Sequence, residues 1–171
     1  SLGDLSGPDG RTSIGRGPGG SVAIRDRKSG RAIGSELDHG DERVRTAGYA
    51  AGGSRIYTFA CKPMADRGTV RLWDATTGQL VATIPHATTM RAIGCRPSSD
   101  VLATGGREGD VRLWDARTGR PIGPRLPCGG SVHKVVLAPD NAAVTAVGED
   151  RVLRVWRIAG VADRAEKKPV R

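Results

Sequence analysis

Short runs in which apolar and polar residues alternate, bounded by glycine, proline and aspartate, recur along most of the chain. In Val70-Arg71-Leu72-Trp73-Asp74 the alternation has the two-residue period of a strand with two distinct faces. Thr76-Thr77-Gly78 then supplies turn chemistry, and a second run, Gln79 to Ile84, follows. Met90–Cys95, Val101–Thr104, Val132–Leu137 and Ala143–Ala146 read the same way, with proline-rich or aspartate-rich turns between them. No stretch sustains a helical period. The pattern predicts an all-β chain of short antiparallel meanders.

The meanders repeat. Gly68 to Gly78 (Gly-Thr-Val-Arg-Leu-Trp-Asp-Ala-Thr-Thr-Gly) returns as Gly109 to Gly119 (Gly-Asp-Val-Arg-Leu-Trp-Asp-Ala-Arg-Thr-Gly), 41 residues on. A third copy, Val152 to Arg157, places Trp156 a further 42 residues beyond Trp114. Upstream, Gly20 to Gly30 is a degenerate copy with Arg25 where the others carry tryptophan. It lies 48 residues before Trp73, the excess mapping to an insertion around Cys61–Arg67. A four-stranded unit of this kind exposes both faces alone, and stacking units radially covers them, which is the logic of a propeller.

These copies resemble the WD-repeat β-propeller family. The residues that carry the likeness are Leu72-Trp73-Asp74, Leu113-Trp114-Asp115 and the weaker Val155-Trp156-Arg157. Turns of Pro-Asp-Gly type at Pro8–Gly10, Pro97–Asp100 and Pro139–Asn141 agree. The resemblance covers about residues 6–158 and implies a hydrogen-bonded tetrad in each repeat: a His before the first strand, a Ser or Thr on the second, an Asp in the next turn, and the Trp. For the best copy it implies His86, Thr104, Glu108 in place of Asp, and Trp114. For the last it leaves Asp150 and Trp156, with Cys128 and Ala146 at the other two places. For the first full copy it leaves His39 and Trp73, with Asp66 as the doubtful acid.

Counting strands gives three in a first unit (about residues 1–37), four each in 44–84 and 90–126, and three in 132–158. Fourteen strands, about three and a half blades, make an incomplete ring, followed by a charged, disordered tail at 159–171. A propeller closes with about 4–8 blades. The chain is therefore expected to be a fragment of a longer, bacterial protein cut inside a blade at its N-terminal end. Self-association of two copies to complete a ring is the rival expectation.

Composition narrows the function classes. The chain has 171 residues, 37% apolar and 4% aromatic, with 25 glycines and 10 prolines. This excludes collagen and argues against a helical bundle. No apolar run approaches the roughly 18 residues of a membrane helix, and no leader is apparent. The formal charge is +9, from 27 Lys plus Arg against 18 acids. The arginines read as spread along the chain, and Arg71, Arg112 and Arg154 as part of the repeat, so nucleic-acid binding ranks low. Cys61, Cys95 and Cys128 form no CxxC pair, which fits a reducing, cytoplasmic setting and no metal or disulfide framework.

Enzyme signatures fail on inspection. Gly15-Arg-Gly-Pro-Gly-Gly20 has the letters of a dinucleotide fingerprint, but a strand follows it instead of a helix, and Pro18 removes a donor. Asp74 and Asp115 are equivalent positions of neighbouring units and not an acid–base pair. No catalytic residue, cofactor or metal is expected. The resemblance implies a non-catalytic scaffold that meets a protein partner with the residues before the tetrad acid and at the first strand's start: Arg107, Glu149, Arg91 and His133. The alternatives are the C-terminal sensing half of a larger signalling protein (a kinase or NTPase) and a weak polyanion binder.

Overall fold

The computed structural model of the chain describes residues 5–17, 21–62, 68–86 and 90–158, with the side chains of all but Ser35, Pro85 and His86. Fifteen strands among these residues form four antiparallel sheets. The first contains β1 (Leu5–Ser6), β2 (Thr12–Arg16), β3 (Val22–Asp26) and β4 (Ala32–Leu37). The second contains β5 (Arg43–Ala50), β6 (Arg55–Cys61), β7 (Gly68–Asp74) and β8 (Leu80–His86). The third contains β9 (Met90–Cys95), β10 (Val101–Gly106), β11 (Asp110–Asp115) and β12 (Pro121–Pro127). The fourth has three strands: β13 (Val132–Leu137), β14 (Ala143–Gly148) and β15 (Leu153–Arg157). Strands follow one another in chain order within every sheet. No helix among the described residues is long and apolar enough to cross a membrane. Asp66 and the tail at 159–171 lie outside the described residues.

The count of fourteen strands is corrected by β1. Leu5 pairs with Ile14 and Ser6 with Ser13, so the first sheet has its first strand as a two-residue piece. The turn at Pro8-Asp9-Gly10 returns the chain to make this pairing. Gly10 N–H donates to the Gly7 carbonyl at 3.0 Å, Gly7 N–H to the Thr12 carbonyl at 2.8 Å, and Asp9 Oδ1 accepts from Arg11 N–H at 2.9 Å.

The aspartate that follows each repeat's tryptophan position builds the next hairpin. Asp74 Oδ1 accepts from the backbone N–H groups of Thr76 and Thr77, both at 3.0 Å. Asp115 Oδ1 does the same for Arg117 and Thr118. In the degenerate first copy Asp26 Oδ1 accepts from Ser29 N–H at 2.7 Å. Gly30, Gly78 and Gly119 close these turns at φ 69°, 72° and 74°, where a side chain is disfavoured. The fourth sheet has Arg157 at this position and no such cap.

The hydrophobic core lies between consecutive sheets. One cluster joins Ile14, Ile24 and Leu37 to Val44, Ile56 and Trp73. A second joins Phe59, Val70, Leu72 and Ile84 to Met90 and Leu102. The third joins Val101, Val111 and Leu113 to Val135, Leu137 and Val144. Approach is close enough at Gly105 that a Cβ there would sit 2.6 Å from Val132 Cγ1, so a residue without a side chain occupies the site. The second and third sheets thus present one face to their predecessor and the other to their successor.

The last sheet breaks the series. The two apolar positions that flank the repeat's arginine are 0% exposed at Val70 and Leu72, and 0% and 6% at Val111 and Leu113. At Leu153 and Val155 they are 63% and 61% exposed. The same residues that are core in one sheet are surface in the last, because no described sheet follows it.

Candidate functional site

The tetrad position of the second sheet is a completed buried network. β6 carries Thr58, the next strand carries Trp73, and His39 sits in the segment that enters β5. Trp73 Nε1–H donates to Thr58 Oγ1 at 2.9 Å. His39 Nε2 lies 2.8 Å from the same oxygen, and Nδ1 lies 2.7 Å from the Leu37 carbonyl oxygen. A carbonyl only accepts, so the hydrogen-bond pattern assigns the proton to Nδ1, and Nε2 accepts from the Thr58 hydroxyl. The His39 and Trp73 rings stack at a tilt, with centroids 5.1 Å apart. The role implied for His39 and Trp73 is therefore structural, and the sequence reading missed their common partner, Thr58.

This network needs a neutral imidazole. Burial pushes the His39 pKa below its ordinary value, the Leu37 carbonyl opposing that shift and the nearby Arg71 charge adding to it. The unfolded chain takes up a proton at about pH 6.5 while the folded chain resists it. The stability from neutral His39 is thus present above about pH 6.5 and lost as pH falls below it. The urea midpoint should drop between about pH 7 and pH 5, and the drop should shrink in His39→Gln. A midpoint that is flat across that window would contradict the assignment.

In the third sheet Trp114 Nε1–H donates to Thr104 Oγ1 at 2.9 Å, as the resemblance implies. Glu108 lies in the turn after β10 and pairs with Arg112 at 3.0 Å. The His86 backbone ends β8 opposite Gly68, and its side chain lies outside the described atoms. In the fourth sheet the hydroxyl is missing: Ala146 faces Arg154 in the register where Thr104 faces Arg112. Ala146→Ser restores an acceptor for Trp156 Nε1–H and should raise stability by about 1 kcal/mol in urea denaturation. A midpoint unchanged or lowered would show that Trp156 is not poised for that bond.

The repeat arginines each meet an acid. Arg71 pairs with Glu42 at 2.5 Å, and Glu42 also accepts from the Thr69 hydroxyl at 3.4 Å. Arg154 grips Asp150 with both terminal nitrogens, at 3.0 and 2.6 Å, and donates to the Cys128 carbonyl at 3.0 Å. That guanidinium holds the Asp150 carboxyl below its usual range. Charges are therefore neutralised inside each unit, and these arginines form no free basic face.

The strands' ends define two surfaces. At one end Gly106 pairs with Met90 and Gly148 with Val132, so Arg91 and Arg107 lie at that end of the third sheet and His133 and Glu149 at that end of the fourth, all four exposed. The opposite end carries the aspartate turns. Asp74 and Asp115 belong there, as hairpin caps and not as reactive carboxylates. Among the described residues no group of His, Cys, Asp and Glu is arranged to hold a metal ion, and all three cysteines are free.

Antiparallel sheets stacked in chain order, two of them with a Trp–Thr bond inside, make a propeller-type repeat fold. The family model described as "WD domain, G-beta repeat" matches residues 78–115, from the glycine that closes one aspartate turn to the aspartate that opens the next. Among solved structures, the crystal structure of the computationally designed Ika4 protein superposes with a TM-score of 0.67 at 19% identity, over 87% of this chain and 86% of that one. No curated protein matches the chain in sequence. Residues 78–115 thus match a WD repeat, and the likeness to the solved structure shows a shared stacked-sheet, propeller-like fold.

Proposed function

We propose that the chain is a non-catalytic protein–protein interaction scaffold whose contact surface is the strand end bearing Arg91, Arg107, His133 and Glu149. The observation that supports this reading is that all four side chains are exposed at one strand end of two neighbouring sheets, two at the starts of strands and two on turns. None of them serves the buried networks described above. The role itself follows the WD repeat, whose members act as scaffolds for protein assembly. Free, unpaired cysteines support a reducing cytoplasmic location.

The test uses a partner captured from cell extract on the immobilised chain and then purified. Affinity for that partner should survive about 0.5 M NaCl and fall at least about tenfold in Arg107→Ala/His133→Ala, as hot-spot truncation does. Full affinity in the double variant would remove this surface from consideration.

A further inference from the structure

We infer that the aspartate-turn end of the first sheet is a second docking surface, one that takes an acidic segment of a protein partner. Five cations meet there: Arg11, Arg25, Arg27, Lys28 and Arg31. The fold places them on three adjoining backbone segments. Arg27 N–H donates to the Arg11 carbonyl at 2.8 Å, and Asp26 N–H donates to the Arg31 carbonyl at 2.9 Å. Arg11, Arg27, Lys28 and Arg31 are exposed, and Arg25 is half-buried. This corrects the sequence-based view that the arginines are merely dispersed.

Among the described residues these cations lack the carboxylate partners that six arginines of the other three sheets have. They are set apart from the remaining unpaired arginines by lying on adjoining segments of one hairpin end. Arg55, Arg71, Arg112, Arg117, Arg125 and Arg154 each pair with a carboxylate. Among the described residues none of the five has such a pair. The carboxylates beside them are occupied by turn hydrogen bonds: Asp9 with Arg11 N–H, and Asp26 with the Ser29 N–H and hydroxyl. Two guanidiniums are steadied by carbonyls, Arg25 by Gly30 at 3.4 Å and Arg27 by Gly10 at 3.5 Å, which leaves their remaining donors for a ligand. Unpaired, partly ordered guanidiniums in a fixed array bind carboxylates in bidentate fashion.

An acidic protein segment fits better than nucleic acid. The first sheet, Leu5 to Leu37, contains no aromatic residue on which a base could stack. The patch occupies one hairpin end, which suits a short run of carboxylates. The proposal extends the scaffold reading and uses none of its four contact residues.

The experiment is fluorescence anisotropy with the full chain and three labelled probes of about ten units: a Glu/Asp-rich peptide, its Gln/Asn counterpart, and a single-stranded oligonucleotide of the same net charge. Arg27→Glu/Arg31→Glu is compared with Arg96→Glu/Arg120→Glu, which makes the same charge change at the aspartate-turn end of the third sheet. Arg27→Gln/Arg31→Gln replaces the first variant should charge reversal impair folding. The acidic peptide should bind saturably, weaken at least about tenfold in the first-sheet variant and hold its affinity in the third-sheet variant. Absence of binding, equal loss in both variants, or tighter binding of the oligonucleotide would each overturn the proposal. The scaffold reading is untouched by these results, because it is decided by Arg107→Ala/His133→Ala.

Discussion

Thr58→Val is expected to remove about 3 kcal/mol of stability. Valine keeps the volume of threonine, so packing is preserved and only the hydroxyl is lost. That hydroxyl both accepts from Trp73 Nε1–H and donates to His39 Nε2. Thr58, His39 and Trp73 are all buried, so each orphaned group stays out of reach of water. An unsatisfied buried donor or acceptor costs about 1–3 kcal/mol. Domains of this size are stable by only about 5–15 kcal/mol. Urea denaturation followed by far-UV dichroism reads the effect as a lowered midpoint at constant slope. The groups act as one network, so the same substitution in a Trp73→Phe background should cost less. A loss below about 0.5 kcal/mol would mean that the network is decorative.

Leu72→Ala should cost about 2–5 kcal/mol, the usual range for a buried leucine whose neighbours cannot collapse into the space. Leu72 lies in the core between the second and third sheets, and Leu113 has the same place between the third and fourth. Val155 occupies the corresponding repeat position on the last sheet. There, Val155→Ala should change stability by less than about 0.5 kcal/mol, since the side chain already faces solvent. The contrast between identical repeat positions is informative: sequence alone ranks Leu72, Leu113 and Val155 together, and only stacking separates them. Equal losses at Leu72 and Val155 would require a covering layer over the fourth sheet.

The parts of the fold that depend on local chemistry are legible in the sequence. Alternation in Val70–Asp74 and Val111–Asp115, the aspartate and glycine of each hairpin, and the spacing of three tryptophans are properties of single segments. The Thr104–Trp114 bond was readable for the same reason, because its repeat has ordinary length. Thr58 escaped because the insertion after β6 sets it 15 residues before its tryptophan, whereas Thr104 precedes Trp114 by 10. β1 escaped because two residues carry no period. The basic end of the first sheet is a tertiary effect: Arg11 joins the others only when β2 and β3 pair. No sequence signal marks which arginines find an acid, since Arg71 meets Glu42 from a loop 29 residues away.

The central claim is that four repeat sheets stack in order and that, among the described residues, β15 has a strand on one side only and a face that no sheet covers. Native-state amide hydrogen exchange, read by mass spectrometry on peptides spanning Gly68–Asp74, Asp110–Asp115 and Leu153–Arg157, tests it most directly. Among the described residues β7 and β11 have hydrogen-bonded strands on both sides, and β15 has one. The account predicts slow exchange in the first two peptides and exchange faster by orders of magnitude in the third. Protection of Leu153–Arg157 equal to that of Gly68–Asp74 would contradict it, and would mean that a further strand and face close the fourth sheet.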